Sequence, residues 1–191
     1  MKTLVIAAHP TLEESRVNRR WLEEIRKYPE QITVSSLYEK YPDGVIDVAA
    51  EQALVEAHDR IVWQFPFYWF NCPPMMKQWL DEVLLQGWAY GPGTDVFHGK
   101  SIGVAVTAGV REEDYAPGRE FRYEIGTLLR PFELTAEYVG APYEEPFVQY
   151  GINSRTSDEE IEASAKRYAE HLLNAKPFEP LSHAGALQER A

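Results

Sequence analysis

The sequence predicts an α/β domain built on a doubly wound sheet of about five parallel strands with helices on both faces. Three observations carry that expectation. Short β-branched apolar runs alternate with longer stretches of helical period. The runs are continuously apolar, as strands covered on both faces must be. A chain of 191 residues, 45% of them hydrophobic, has enough material for one sizeable core rather than two.

The first strand is expected over residues 4–8 (LVIAA). Val17, Trp21, Ile25 and Tyr28 then share one helical face, with Ser15 placed as the N-cap. Residues 32–37 read as a second strand. Asp47 caps a helix whose inner face is expected to carry Ala50, Leu54 and Ala57. Residues 61–65 form a third strand. Pro73 and Pro74 are tolerated in a first helical turn, so the helix of Met76, Trp79, Leu80, Val83 and Leu84 starts there.

The fourth strand spans residues 102–107, followed by a polar loop over 110–118. A helix over 120–138 is interrupted by Pro131. Residues 146–150 make a short last strand. Ser157 and Glu160 form a capping box for a closing helix whose buried stripe is Ile161, Ala165, Tyr168 and Leu172. The folded domain is expected over residues 1–173, with a tail over 174–191.

Composition excludes several functions. With 30 acidic against 19 basic residues the net charge is -11, a surface that repels nucleic acid and anionic lipid. Cys72 is the single cysteine, so no internal disulfide or CxxC element is available, which suits a reducing cytoplasm. That thiol reads as inert and structural. The opening apolar run is too short for a signal peptide, and no stretch approaches the roughly 20 apolar residues of a membrane span. The five histidines are scattered and no metal-ligand spacing occurs, so no metal site is expected. Nucleotide glycine fingerprints and a GxSxG elbow are likewise missing.

In a doubly wound sheet, ligands bind outside the carboxyl ends of the strands, which directs attention to three loops. The first leads from His9 through Ser15 and Arg16 to a helix whose opening amides, at Val17 and Asn18, suit a phosphate. Ser15 and Asn18 offer side-chain donors and His9 or Arg16 positive charge, unless Ser15 only caps the helix and His9 only closes the strand. The second, from Pro66 through Phe67, Tyr68, Trp69 and Phe70, crowds aromatic rings beside prolines. Such a cluster packs in a core or an interface, or against a large flat ligand, and an isoalloxazine ring is one. The third, Thr107, Ala108, Gly109 and Val110 and on to Tyr115, allows close backbone approach to a ring's polar edge, and Tyr115 is either a hydroxyl donor for charge developing there or a surface-loop tyrosine with no chemical role.

The run ending in AHP at residues 8–10, SRVN at 15–18, WQFPFYWFNCPPMMKQWLDEV at 63–83, GWAYGPG at 87–93 and VTAG at 106–109 together resemble one family. It is the flavodoxin-like family of NAD(P)H:quinone oxidoreductases, and the chain is most similar there to the ancillary oxidoreductases of glutathione-regulated potassium-efflux systems. The resemblance covers residues 2–173. It implies FMN rather than FAD, NADH or NADPH as reductant, and ping-pong hydride transfer to a quinone-like acceptor. It places the flavin phosphate on His9 and Ser15 to Asn18, and the isoalloxazine on Phe67 to Phe70 and Val106 to Gly109. A homodimer is implied. So is a second role, as the regulatory partner of a potassium-efflux membrane protein at the inner face of the cell membrane. Two departures stand out: many relatives carry Thr-Thr-Gly-Gly where this chain has Val106 to Gly109, and no histidine follows Tyr115 before His171.

Overall fold

The computed structural model describes residues 1–174, so the tail expected over 174–191 lies, apart from Asn174, outside the described residues. Five strands, β1 (Thr3–Ala7), β2 (Ile32–Ser36), β3 (Arg60–Pro66), β4 (Ser101–Thr107) and β5 (Phe147–Gln149), form one parallel sheet in the order β2-β1-β3-β4-β5. Seven helices accompany them: α1 (Arg16–Ile25), α2 (Leu37–Lys40), α3 (Val48–Glu56), α4 (Pro74–Val83), α5 (Ile125–Leu128), α6 (Arg130–Tyr138) and α7 (Asp158–Leu173).

Both sheet faces are buried, as the continuous apolar strands required. On one face Val5, Ala7, Val62 and Ala105 meet Trp21 and Ile25 of α1 and Tyr168 and Leu172 of α7. On the other, Ile6, Trp63, Phe65 and Val104 meet Val55, Met76, Trp79 and Phe132. The expected caps form: Ser15 Oγ accepts from the Asn18 amide at 3.2 Å and Asp47 from the Ala50 amide at 3.0 Å. Ser157 and Glu160 close the capping box.

Four expectations need correcting. Tyr28 falls outside α1, which ends at Ile25, and is exposed. Leu37 opens the short α2 instead of closing β2. The helix expected over 120–138 begins only at Ile125 and is divided at Leu129, because Pro131 lies in the first turn of α6 and cannot continue an earlier ladder. The inner face of α3 is centred on Glu51 and Val55, with Leu54 packed against the core as expected, Ala50 half-buried and Ala57 exposed.

The last of these has a clear cause. The fully buried Glu51 carboxylate accepts hydrogen bonds from Ser35 Oγ at 3.1 Å, Lys40 Nζ at 2.7 Å, Tyr41 OH at 2.9 Å and Trp79 Nε1 at 2.9 Å. A buried carboxylate is tolerable only with such partners, and four donors from β2, α2 and its C-cap, and α4 turn α3 so that Glu51 faces inward.

A second buried charge fastens the opposite end of the sheet. Arg60, 1% exposed, donates through Nε to Glu144 at 2.9 Å and through Nη1 to the Leu172 carbonyl at 3.3 Å, which caps the end of α7. His171 Nε2 lies 3.1 Å from Arg60 Nη2 and must accept, so its ring is neutral. Burial, and then the adjacent Arg60, hold its pKa below the ordinary 6.5. The unfolded chain therefore takes up a proton near pH 6.5 that the folded chain refuses. Stability from this site is complete above that pH and is lost as pH falls through the lower folded value. Unfolding free energies measured in urea should decline between about pH 7 and pH 5, and His171→Gln should flatten part of that decline; an unchanged slope would contradict the assignment.

Candidate functional site

Strand order reverses between β1 and β3, and the loops leaving their carboxyl ends diverge there to open a crevice. A cavity of about 420 Å³ occupies it. From the first loop it is lined by His9, Ser15, Arg16, Val17 and Asn18, from the second by Pro66, Phe67 and Tyr68, and from the third by Thr107 and Gly109. Three loops distant in sequence thus converge as expected.

Five expected residues lie off the wall. Val106 and Ala108 alternate with Thr107 along the chain, so their side chains turn into the core on the opposite face of the sheet. Trp69 and Phe70 continue from Tyr68 as a protruding turn, with Trp69 93% exposed. Tyr115 is one ring removed from the cavity. It packs against Phe67 at 6.4 Å, stacks on Phe121 at 5.1 Å and meets Tyr150 at 5.9 Å. Burial raises its pKa, so the hydroxyl remains protonated.

The sequence reading missed a fourth side of the cavity. Ile152, Asn153 and Ser154 after β5, and Ile161 of α7, complete the lining together with Thr11 and Glu14 of the first loop. The signal was present: the turn-forming run GINSRTS follows the last strand at the same edge of the sheet. The two loops meet at Gly109, where a β-carbon would stand 3.4 Å from the Ile152 carbonyl oxygen, in van der Waals contact.

The electrostatics differ from expectation. His9 Nδ1 accepts the Thr11 amide at 3.2 Å, and burial lowers the ring's pKa, which keeps it neutral. The Arg16 guanidinium turns outward to Asp158 at 2.7 Å. Neither delivers a free positive charge. The donors are instead backbone amides. Among the described residues, the Arg16 and Val17 N–H groups of the first turn of α1 find no protein acceptor, nor do those of Trp69, Phe70 and Gly109. The first pair suits a phosphate and the last three the polar edge of a planar heterocycle. Arg16, Val17 and Gly109 line the cavity, while the Trp69 and Phe70 amides lie in the turn beyond Tyr68, at its rim, so the cavity and its surroundings suit the parts of a flavin mononucleotide.

The Cys72 thiol plays no visible part, since burial pushes its pKa up and leaves it protonated. No cluster of His, Cys, Asp or Glu suited to a metal occurs among the described residues, and no helix there is long and apolar enough to cross a membrane.

A family model described as having a flavodoxin-like fold matches residues 1–172. The chain belongs to this flavodoxin-like family. Within it, the chain is 46% identical over 172 residues to the uncharacterized NAD(P)H oxidoreductase YrkL of Bacillus subtilis, covering 90% of this chain and 98% of that one. Among solved structures it resembles general stress protein 14 of Treponema denticola in complex with FMN, at 47% identity and a TM-score of 0.86, covering 90% and 98% of the two chains. It also resembles an NADPH-quinone reductase of P. pentosaceus at 27% identity and a TM-score of 0.83, covering 92% and 100%. These likenesses support the broad oxidoreductase family and not the potassium-efflux branch that the sequence resemblance suggested.

The flavodoxin-like chain carries strain at this site. Asn71 N–H bonds to the Tyr68 carbonyl at 3.0 Å across a turn whose central residues, Trp69 and Phe70, have φ of 50° and 61°. This turn ordinarily takes Asn or Gly, and bulky residues in the left-handed region cost about 1–2 kcal/mol each. Trp69→Gly, which removes a side chain exposed to solvent, should raise the unfolding free energy of the ligand-free chain by about 1 kcal/mol in urea titration. A loss of stability would show that the turn is not strained.

Proposed function

We propose that this chain is an NAD(P)H-dependent FMN oxidoreductase that passes two electrons, as hydride, to a quinone or similar small electrophile. The observation that carries the reading is the row of unpartnered amides at Arg16, Val17, Trp69, Phe70 and Gly109 along one edge of the sheet. The FMN held by the Treponema denticola relative and the NAD(P)H oxidoreductase and quinone reductase names of the others support it.

FMN, when bound, supplies a ring that accepts hydride from a nicotinamide and returns it to the acceptor. The chain's own work is positioning. The first turn of α1 holds the phosphate through the Arg16 and Val17 amides and the positive end of the helix. Ser15, Asn18 and Thr107 offer side-chain groups along the polyol path between phosphate and ring. Pro66 fixes the bend that carries Phe67 and Tyr68 to the cavity wall, while the Gly109 amide on the wall and the Trp69 and Phe70 amides of the turn beyond it would serve the ring's polar edge. Tyr115, kept protonated behind Phe67, would be the candidate hydroxyl donor for the reduced ring. The turn that exposes Trp69 at 93% and Phe70 at 45% is where this reading seats a second copy of the chain, making a homodimer. Nicotinamide and acceptor use the same open face in turn, which is ping-pong order.

Arg16→Pro tests the phosphate assignment with little cost to folding. Position 16 is the first of α1, where proline is tolerated, and Ser15 already holds the extended φ of -82° and ψ of 107° that a following proline demands. The lost ion pair with Asp158 is exposed and weak. The wild-type chain should bind FMN and oxidise NAD(P)H when a quinone is supplied. The variant should bind FMN about tenfold more weakly while its affinity for riboflavin, which has no phosphate, stays the same. Equal losses for both ligands would move the phosphate elsewhere, and a wild-type chain that binds neither would end the flavin reading.

A further inference from the structure

Beneath the cavity floor lies a chain of side-chain amides that the proposed function does not use. Gln64, 2% exposed, sits on β3 between Ala7 of β1 and Ala105 of β4. Its Nε2 donates to Asn18 Oδ1 at 3.4 Å. Asn18, 3% exposed, in turn donates through Nδ2 to Thr107 Oγ1 at 2.9 Å and to Ser15 Oγ at 3.4 Å. Asn18, Thr107 and Ser15 all line the cavity, whereas Gln64 does not.

The other end of the Gln64 amide, Oε1, is buried without a hydrogen-bond partner. Leaving a buried polar atom unpaired is costly, and an aliphatic side chain would occupy the gap between two alanines without that cost. Packing therefore does not account for an amide here; orientation does. An asparagine side chain can be turned end for end at almost no steric cost, and its neighbours decide which end faces which. With Gln64 donating to Oδ1, Asn18 presents Nδ2 to Thr107. The Thr107 oxygen then accepts from Asn18, and its hydroxyl hydrogen is left to donate into the cavity.

Resting on the FMN reading above, we infer that Gln64 is a positioning residue which, through Asn18, fixes the Thr107 hydroxyl as a hydrogen-bond donor to the flavin. Gln64 touches no ligand and acts only by setting the direction of the Asn18 amide.

Gln64→Glu inverts the relay without changing its shape. The comparison is made at alkaline pH, because a buried carboxyl with a single donor holds its proton near neutrality; once ionised it only accepts, so Asn18 turns to donate Nδ2 to it and offers Oδ1 to Thr107. The Thr107 hydroxyl then donates to Asn18 and is withdrawn from the cavity. Dissociation constants for FMN and riboflavin are measured by flavin fluorescence on the full chain, for wild type, Gln64→Glu, Thr107→Val and the double variant. Each single variant should weaken both flavins about tenfold, and the double variant should be no weaker than Thr107→Val alone. Thermal unfolding of the ligand-free proteins checks folding. If Gln64→Glu does not fold, Gln64→Met takes its place in the same cycle, since it cuts the relay without adding a charge.

Additive losses, as simple repulsion between the new carboxylate and the ligand would produce, overturn the inference, and so does a Gln64 variant with unchanged affinity. If wild type binds neither flavin, this inference falls together with the FMN reading. Wild-type binding with an additive cycle removes this inference alone.

Discussion

A parallel sheet must be covered by helices on both faces, and the structure depends on how the chain meets that requirement. Right-handed crossovers carry the chain to β2 on one side of β1 and to β3 on the other, so helices fall on opposite faces. The loops leaving the carboxyl ends of β1 and β3 must then part company. The crevice between them is imposed by topology, and it exposes the first turn of α1, whose amides have no helical partner. A neutral His9, an Arg16 that points outward and a set of unpartnered backbone amides leave the cavity with donors but almost no free positive charge.

Regularities of period and capping were legible in the sequence. Continuous apolar runs placed all five strands to within a residue or two, and Ser15, Asp47 and the Ser157–Glu160 pair marked helix starts that the structure reproduces. The site was legible as three loops because strand ends are legible. What periodicity could not supply was the partner of a buried polar group. Counting Glu51 as polar turned α3 the wrong way, since its four donors come from segments between 16 residues before it and 28 after. The same blindness made His9 look like a source of charge, although burial keeps it neutral. At Val106 and Ala108 strand alternation sends both side chains into the core, which leaves only their backbone on the cavity side. The loop after β5 obeys the same strand-end rule as the other three, and its turn-forming run GINSRTS is in the sequence.

Buried polar groups in this chain divide by task. Glu51 and the Arg60–Glu144 pair tie segments together at the two ends of the sheet, and their value lies in specifying one packing of α3 and one end for α7. Gln64 and Asn18 are different: one amide atom is left unpaired, and the neighbours of Asn18 are hydroxyls that line the cavity. The strained turn at Trp69 and Phe70 belongs with them, for it presents two amides outward at a conformational cost that folding alone does not require.

The central claim, that unpartnered amides at the carboxyl edge of the sheet hold FMN, is tested most directly by residue-resolved amide hydrogen exchange with and without FMN. The account predicts new protection at Arg16, Val17, Trp69, Phe70 and Gly109, with the opposite edge of the sheet unchanged. Protection absent from those five amides, or concentrated around residues 29–33 at the amino edge, would contradict it.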